Sequence, residues 1–437
     1  MPGNLTIRQA RLVLPDRVVT GDLIVEDGVI AHIGPHVERS VGEEINGAGL
    51  TVLPGLIDPQ VHFRDPGLTW KEDLASGSRA AAAGGVTSFL EMPNTDPTTT
   101  SITALHEKLA IAAEKSVVHY GFFIGATGSN TSDLISAERT CGVKIFMGAS
   151  TGALLVSERD RLEEIFARVD KVIAVHAEDE ARLRERRPMY ADSTNPADHP
   201  KLRDVETALN ATKLAVELAQ KYGRRLHILH VSSAEEADFL ASIPRDRITA
   251  ETCPQYLFLA AEDAYARLGT RAQCNPPIRS QRHQDAIWKH LLAGDFDCLA
   301  TDHAPHTAEE KAKGYPKAPS GLPGVEWTLP LMMDQVAKGR ISLKQIAKWT
   351  AEGPARTYDI PRKGRLEVGY DGDLVLVDAA ATRTVEDGNV FTKCGWSPYA
   401  GMSLTGWPVM TVVLGRPVFR DGEIQEGIRG RELTFSH

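Results

Sequence analysis

Cysteine is sparse in this chain of 437 residues: five occur, at Cys141, Cys253, Cys274, Cys298 and Cys394, and no two form a C-x-x-C pair. An odd, scattered set excludes a disulfide framework and a zinc ribbon and fits the reduced thiols of a cytoplasmic protein. Positive charge is short too. A formal net charge of -9 denies the chain the cationic face with which a non-specific nucleic-acid binder displaces counterions from phosphates. No apolar run approaches the ~20 residues of a membrane-spanning helix. The opening MPGNLTIRQARLVLPD alternates as a strand does and lacks the apolar core of a secretion signal. Low-complexity tracts are missing as well, which argues against disorder. These absences leave a cytoplasmic protein with no nucleic-acid or membrane partner, which must hold any anionic ligand with locally placed charge.

What is present is a soluble globular composition, 42% hydrophobic and 24% charged. The length asks for one large domain, of the size a barrel can reach, and a smaller one. Between residues 56 and 302, eight short apolar runs alternate with helical stretches: LIDPQVHF, VTSFLEM, VVHYGFF, VKIFM, VIAVH, LHILHV, ITAET and CLATD. In KEDLASGSRAAAA, ITALHEKLAIAAEK, ERDRLEEIFARV, VETALNATKLAVELAQKY and RHQDAIWKHLLAG, apolar residues recur at helical spacing. Eight strand-then-helix units predict a (β/α)8 barrel. An open doubly wound sheet gives the same alternation, but chemically capable residues stand at the C-terminal ends of several different runs, where a barrel gathers its catalytic groups. Outside this region, LTIRQARLVL, GDLIVEDGVIAHIG, GDLVLVDAA and MTVVLGRPVFRDGEI read as short alternating strands of an antiparallel sheet, separated by Gly, Asp and Pro. The expected organisation is a TIM-type barrel over 54–361 and a small flanking β-sandwich domain built from both chain ends, 1–53 and 362–437. The polar, Gly- and Pro-rich stretch 306–324 is expected to be a long loop or lid on the active rim.

A histidine is also missing at one informative place. GLIDPQVHFRDPG, residues 55–67, reads as a strand running into a turn, with Gln60 and His62 on one face; two histidines there would clip a metal. The candidate set at five strand ends is His62, Lys144, His176, His230 and Asp302. Imidazole nitrogens and carboxylate oxygens bind zinc-type ions, and a hydrolytic site keeps one position open for water. A single histidine is more readily a hydrogen-bonded structural residue, and His106, His119 and His227 are read that way. Five coincidences at one end of one barrel argue for a metal centre. Lys144 has two readings: an amine that loses its proton on burial and adds carbon dioxide, giving an anionic carbamate ligand, or a salt-bridged lysine at the barrel mouth. Asp302 can take a proton from a metal-bound water and pass it to a leaving nitrogen, with His303 and His306 beside it on an acid-base rim.

At these residues the sequence resembles the cyclic-amide branch of the amidohydrolase superfamily, and within it the dihydroorotases. The ordered series that carries the resemblance is VLPGLIDPQVHFRDPG, EMPNT, GVKIFMGASTG, VHAEDE, LHILHVSS, CNPPIRS, ATDHAPHT and GDLVLVD. It implies a β/α barrel with a flanking β-sandwich, one or two zinc ions or another divalent metal, and reversible hydrolysis of dihydroorotate to N-carbamoyl-aspartate in pyrimidine biosynthesis. It implies His62 and Asp302 as ligands of one metal, His176 and His230 of the other, and Lys144 bridging as its carbamate. For the substrate carboxylate it implies Arg64, Asn94, Asn275 and His306; the planar donor fork of Arg64 matches a carboxylate. The implied partners are a second copy of the chain, in a dimer, and aspartate transcarbamoylase.

ETCPQYLF, residues 251–258, is closer to hydantoinases and allantoinases, which act on neutral rings or ureides and need no carboxylate fork. A cyclic amide hydrolase of that type is the alternative. Gln60 departs from the family's H-x-H pair, since an amide oxygen is a poorer zinc donor than imidazole. Three outcomes follow: Gln60 ligates through its oxygen or through water; one metal suffices, on His176, His230 and Lys144; or the centre is empty and the chain is an inactive partner of aspartate transcarbamoylase. Degenerate proteins lose several ligands. Here the other five positions and the carboxylate set all stand, so activity is expected.

Overall fold

A computed structural model describes residues 2–150 and 154–436. Nine strands form one sheet: β1 (Leu5–Val13), β2 (Val18–Glu26), β3 (Val29–Gly34), β4 (Glu43–Asn46), β5 (Leu50–Pro54), and, from the other end of the chain, β14 (Leu374–Thr384), β15 (Ser403–Val413), β16 (Arg416–Arg420) and β17 (Glu423–Ile424). The two ends meet where β5 runs antiparallel to β14, Val52 opposite Leu376. The sheet is antiparallel apart from β1, which lies parallel to β4 and β5. Its alternating apolar residues, among them Ile7, Leu23, Val52, Leu374 and Val412, form a core of their own.

The eight remaining strands are β6 (Leu56–Val61), β7 (Val86–Glu91), β8 (His119–Gly125), β9 (Gly142–Phe146), β10 (Ile173–His176), β11 (Leu226–Ile228), β12 (Ile248–Thr252) and β13 (Cys298–Leu299). They are parallel and follow one another in chain order across the sheet. An isolated bridge between Val61 and His303 joins the segment just beyond the last strand back to the first, and the His62 amide donates to the His303 carbonyl at 2.8 Å. This is the expected TIM-type barrel. Every residue of β6 to β10 is buried, as sheet faces covered on both sides require. The predicted helices fall at Leu74–Ala83, Ile102–Lys115, Arg159–Arg168, Val205–Tyr222 and Gln281–Ala293. Asp73, Ser101 and Asp204 accept backbone N–H bonds at three of their N-termini, donors that would otherwise lack partners. None of the described helices is long and apolar enough to cross a membrane.

Two segments cross between the sheets. After β17 the chain end leaves its own sheet and runs beside β8, where Leu433 N donates to Tyr120 O at 2.8 Å. The connection between β14 and β15 reaches the barrel rim: Trp396 Nε1 donates to the His306 carbonyl at 2.8 Å, and buried Glu72 accepts from Lys393 N at 3.2 Å. The last residues of the GVKIFMGASTG motif, Thr151 and Gly152, lie outside the described residues.

Candidate functional site

The C-terminal ends of the barrel strands open into one cavity lined by Gln60, His62, Arg64, Asn94, Lys144, His176, His230, Asn275 and Asp302, with Phe146, Ser150, Ala304, Ser320 and Gly321. Every expected site residue but His306 is in that wall. Three of them hold left-handed backbone, Arg64 at φ 66°, His230 at φ 41° and Asp302 at φ 48°. Such non-glycine geometry costs ~1–3 kcal/mol and gathers at functional sites.

On one side of the cavity, His62 Nδ1 lies 2.7 Å from Asn94 Oδ1 and His62 Nε2 lies 3.0 Å from Asp302 Oδ1. Gln60 Nε2 donates to the same Asp302 oxygen at 3.0 Å, while Gln60 Oε1 is buried without a hydrogen-bond partner among the described residues. On the other side, His176 Nδ1 faces His230 Nε2 at 3.0 Å. His176 Nε2 is 2.8 Å from Glu178 Oε2, and Arg203 pairs with the same carboxylate oxygen. A carboxylate accepts only, so the imidazole proton sits on Nε2 and the Nδ1 lone pair points at His230. Burial lowers the pKa of all three imidazoles below the ordinary value. Lys144, between the two sides, is held by burial at about 7. Its Nζ has no hydrogen-bond partner among the described residues and rests 4.5 Å from the centre of the Phe146 ring.

These donors suit a divalent ion. Two ligand atoms each about 2.0 Å from a tetrahedral ion stand about 3.3 Å apart, close to the 3.0 Å within each pair. Among the described residues, no three His, Cys, Asp or Glu side chains converge to hold an ion unaided. The further donors must come from Lys144 Nζ and Gln60 Oε1, the two orphaned atoms of the same cavity. Burying a polar atom without a partner costs ~1–3 kcal/mol, which a ligand at the site would relieve.

Arg64 is 2% exposed. Its Nε donates to the Pro305 carbonyl at 3.3 Å and its Nη2 lies 3.3 Å from His306 Nε2, which also faces the Ser320 carbonyl at 3.1 Å; among the described residues these partners are neutral. Burial holds its pKa at about 10, so it stays a cation at neutral pH. His306 stands behind Arg64 and not in the cavity wall, with Nδ1 3.2 Å from Lys71 Nζ. His303 is turned away as well: its Nδ1 accepts from Gly324 N at 3.0 Å and Val325 N at 3.2 Å, so the expected acid-base rim beside Asp302 does not include it. The stretch 306–324 is a fastened loop rather than a lid, because buried Lys311 Nζ donates to the carbonyls of Gln273, Pro319 and Gly321 at 2.9–3.0 Å. His227 pairs with Glu251 and His119 with Asp373, and His106 is exposed on a helix; none lines the cavity. Sequence reasoning missed Glu178, Phe146 and Ser150. Glu178 had a signal, a carboxylate two positions after a candidate ligand histidine.

The chain is 38% identical over 429 residues to a dihydroorotase of Halobacterium salinarum, covering 95% of this chain and 99% of that protein. It is 36% identical to a dihydroorotase of Methanothermobacter thermautotrophicus, covering 99% and 98%. An allantoinase of Rubrobacter xylanophilus is 35% identical, covering 94% and 93%. Among solved structures, the L-hydantoinase (dihydropyrimidinase) of Arthrobacter aurescens superposes with a TM-score of 0.92 at 31% identity, over 97% of both chains. The amidohydrolase family model matches residues 51–418; with these relatives along nearly the whole length, the chain belongs to the amidohydrolase family.

Proposed function

We propose that this protein hydrolyses dihydroorotate reversibly to N-carbamoyl-aspartate, a step of pyrimidine biosynthesis. The observation that carries the substrate is Arg64: a buried guanidinium whose partners are a carbonyl and an imidazole. Asp302, Glu91, Glu310 and Glu72 act on this cation from a distance, with no hydrogen bond to it among the described residues, and the carboxylate of dihydroorotate supplies the direct counter-charge a buried cation favours. Hydantoin and allantoin do not. Asn94 and Asn275 share the cavity with Arg64 and add neutral donors for the same group, while His306 holds Arg64 in place from behind.

His176, His230 and a carbamate on Lys144, with His62, Asp302 and the oxygen of Gln60, would hold one or two divalent ions, zinc or another, which polarise the ring carbonyl and acidify water. Burial of Lys144 favours the free amine that takes up carbon dioxide. Asp302 accepts from Gln60 on Oδ1, with His62 Nε2 3.0 Å from the same oxygen, which leaves Oδ2 for a proton. It takes that proton from the attacking water and returns it to the ring nitrogen as the amide bond breaks. Arg64 holds the substrate carboxylate at a fixed place, so the ring carbonyl meets the same groups in every binding event. Assembly as a dimer, or with aspartate transcarbamoylase, rests on the resemblance alone and is read by sedimentation with and without that enzyme.

The test is kcat/KM for dihydroorotate, hydantoin and allantoin on one zinc-reconstituted preparation, with Arg64→Met alongside. Wild type should prefer dihydroorotate, and Arg64→Met should raise its KM by about 100-fold, the worth of a charge-assisted pair. Preference for hydantoin or allantoin would transfer the reading to the alternative class. No turnover of any of them with metal bound would leave a non-catalytic homologue.

A further inference from the structure

His199 opens a four-residue helix, His199–Leu202, between β10 and the long helix Val205–Tyr222. It is 4% exposed and does not line the cavity. Its Nε2 faces two atoms, the Cys274 carbonyl at 3.1 Å and Asn275 Oδ1 at 2.9 Å. A backbone carbonyl cannot donate, so the imidazole must carry its proton on Nε2. The other nitrogen, Nδ1, is buried without a partner among the described residues, as the lone pair of a neutral imidazole would be. The ring is held edge-on to Tyr315, with centroids 5.9 Å apart.

The proton on Nε2 decides which end of the Asn275 amide faces it. An amide NH2 there would set two donors against each other, so Asn275 turns its oxygen to His199. Its Nδ2 is left for the cavity and lies 3.4 Å from Ser150 Oγ. With Arg64 beside it, the Asn275 amide turns its N–H to whatever enters, and that pair suits an acceptor bearing negative charge.

We propose that His199 is a positioning residue that locks the Asn275 amide with its NH2 toward the substrate carboxylate. This rests on the carboxylate reading above. Without His199 the amide is free to turn its oxygen toward the carboxylate, which replaces an attraction by a repulsion.

Steady-state kinetics with dihydroorotate test it on the metal-reconstituted enzyme. His199→Leu should raise KM about tenfold, the loss of one hydrogen bond to a charged group, with kcat within about threefold. His199→Gln should recover most of the loss, because its NH2 can donate to the same two carbonyl oxygens. In an Asn275→Ala background, His199→Leu should change KM no further. An additional loss in that background, or no recovery with Gln, would overturn the proposal in favour of a role in folding alone. Should His199→Leu fail to fold, Asn275→Asp carries the test: it keeps an acceptor for His199 and removes the N–H, so KM must rise, and an unchanged KM would overturn the proposal. Wild-type turnover separates the two readings. Absence of dihydroorotate hydrolysis by the unmutated enzyme refutes the substrate, whereas hydrolysis that is indifferent to His199 and Asn275 refutes only this inference.

Discussion

Among the described residues, Gln60 Oε1 and Lys144 Nζ are the two partnerless polar atoms of the cavity, and they mark where sequence and chemistry part. Position 60 could be read as facing inward, since alternate strand residues share a face. That its amide would spend the nitrogen on Asp302 and keep the oxygen free depends on a residue 242 positions away and is invisible in the chain. A neutral oxygen binds zinc more weakly than imidazole. Gln60→His should therefore slow loss of metal to a chelator by at least about tenfold, measured as bound metal against time by atomic emission. Equal retention would place Gln60 outside the coordination sphere. The candidates proposed to act through their own chemistry, His62, Lys144, His176, His230 and Asp302, were legible, and the fold gathers them in one cavity. Residues whose role is a partner's orientation, Glu178 and His199, were not, because the partner arrives only with the fold.

The eight barrel strands and five long helices were read correctly in order and type, while shorter elements such as β4 and the helices Ala234–Ser242 and Thr328–Ala337 went unread. LHILHV predicts a strand to residue 231 and CLATD one to 302, yet β11 stops at Ile228 and β13 at Leu299. The physical reason lies in the site: His230 and Asp302 take positive φ, outside the strand region, so each ladder ends before the side chain it delivers. The loop 306–324 shows the converse. Its composition suggests mobility, but Lys311 ties it to the Asn275 segment through the Gln273 carbonyl and to itself through the carbonyls of Pro319 and Gly321, at 2.9–3.0 Å. A lysine bonding to backbone three times has no sequence signature. Lys311→Met leaves those carbonyls unpaired and should cost about 3 kcal/mol, seen as a lower urea midpoint with unchanged slope. It should also raise KM, since Ser320 and Gly321 line the cavity. Wild-type stability in this variant would contradict the role given to the loop.

In the molecule as a whole, titration is dominated by burial. Burial holds His199 at about 4 and His227 and His306 at about 3, against ~6.5 when unfolded. Depressed folded values mean that the stability these groups contribute is complete above pH ~6.5 and is lost as pH falls toward them. Burial pushes the carboxyls of Asp58, Glu91 and Glu326 up to about 7. For raised groups the contribution is complete below the free carboxyl value of ~4 and is lost as pH rises through the folded value. The two sets oppose each other between pH ~7 and ~4.5. Below that the histidines continue alone, joined by Glu178, which burial disfavours as an anion but Arg203 and His176 hold down to about 2. Denaturant midpoints should therefore fall most steeply below pH ~4.5; a midpoint level down to pH ~3 would contradict this balance. At the same scale the barrel and the two-ended sheet could be anticipated from alternation and composition. The parallel pairing of β1 with β4 and β5 could not, since a short strand does not encode its neighbour's direction. The central claim is that strand ends far apart in the chain deliver one metal-binding, carboxylate-binding pocket, and an anomalous-scattering crystal structure of the zinc-reconstituted protein with dihydroorotate tests it most directly. The account predicts anomalous density between His176 and His230 and the ligand carboxylate against Arg64, Asn94 and Asn275; density elsewhere, or a carboxylate turned away from Arg64, would contradict it.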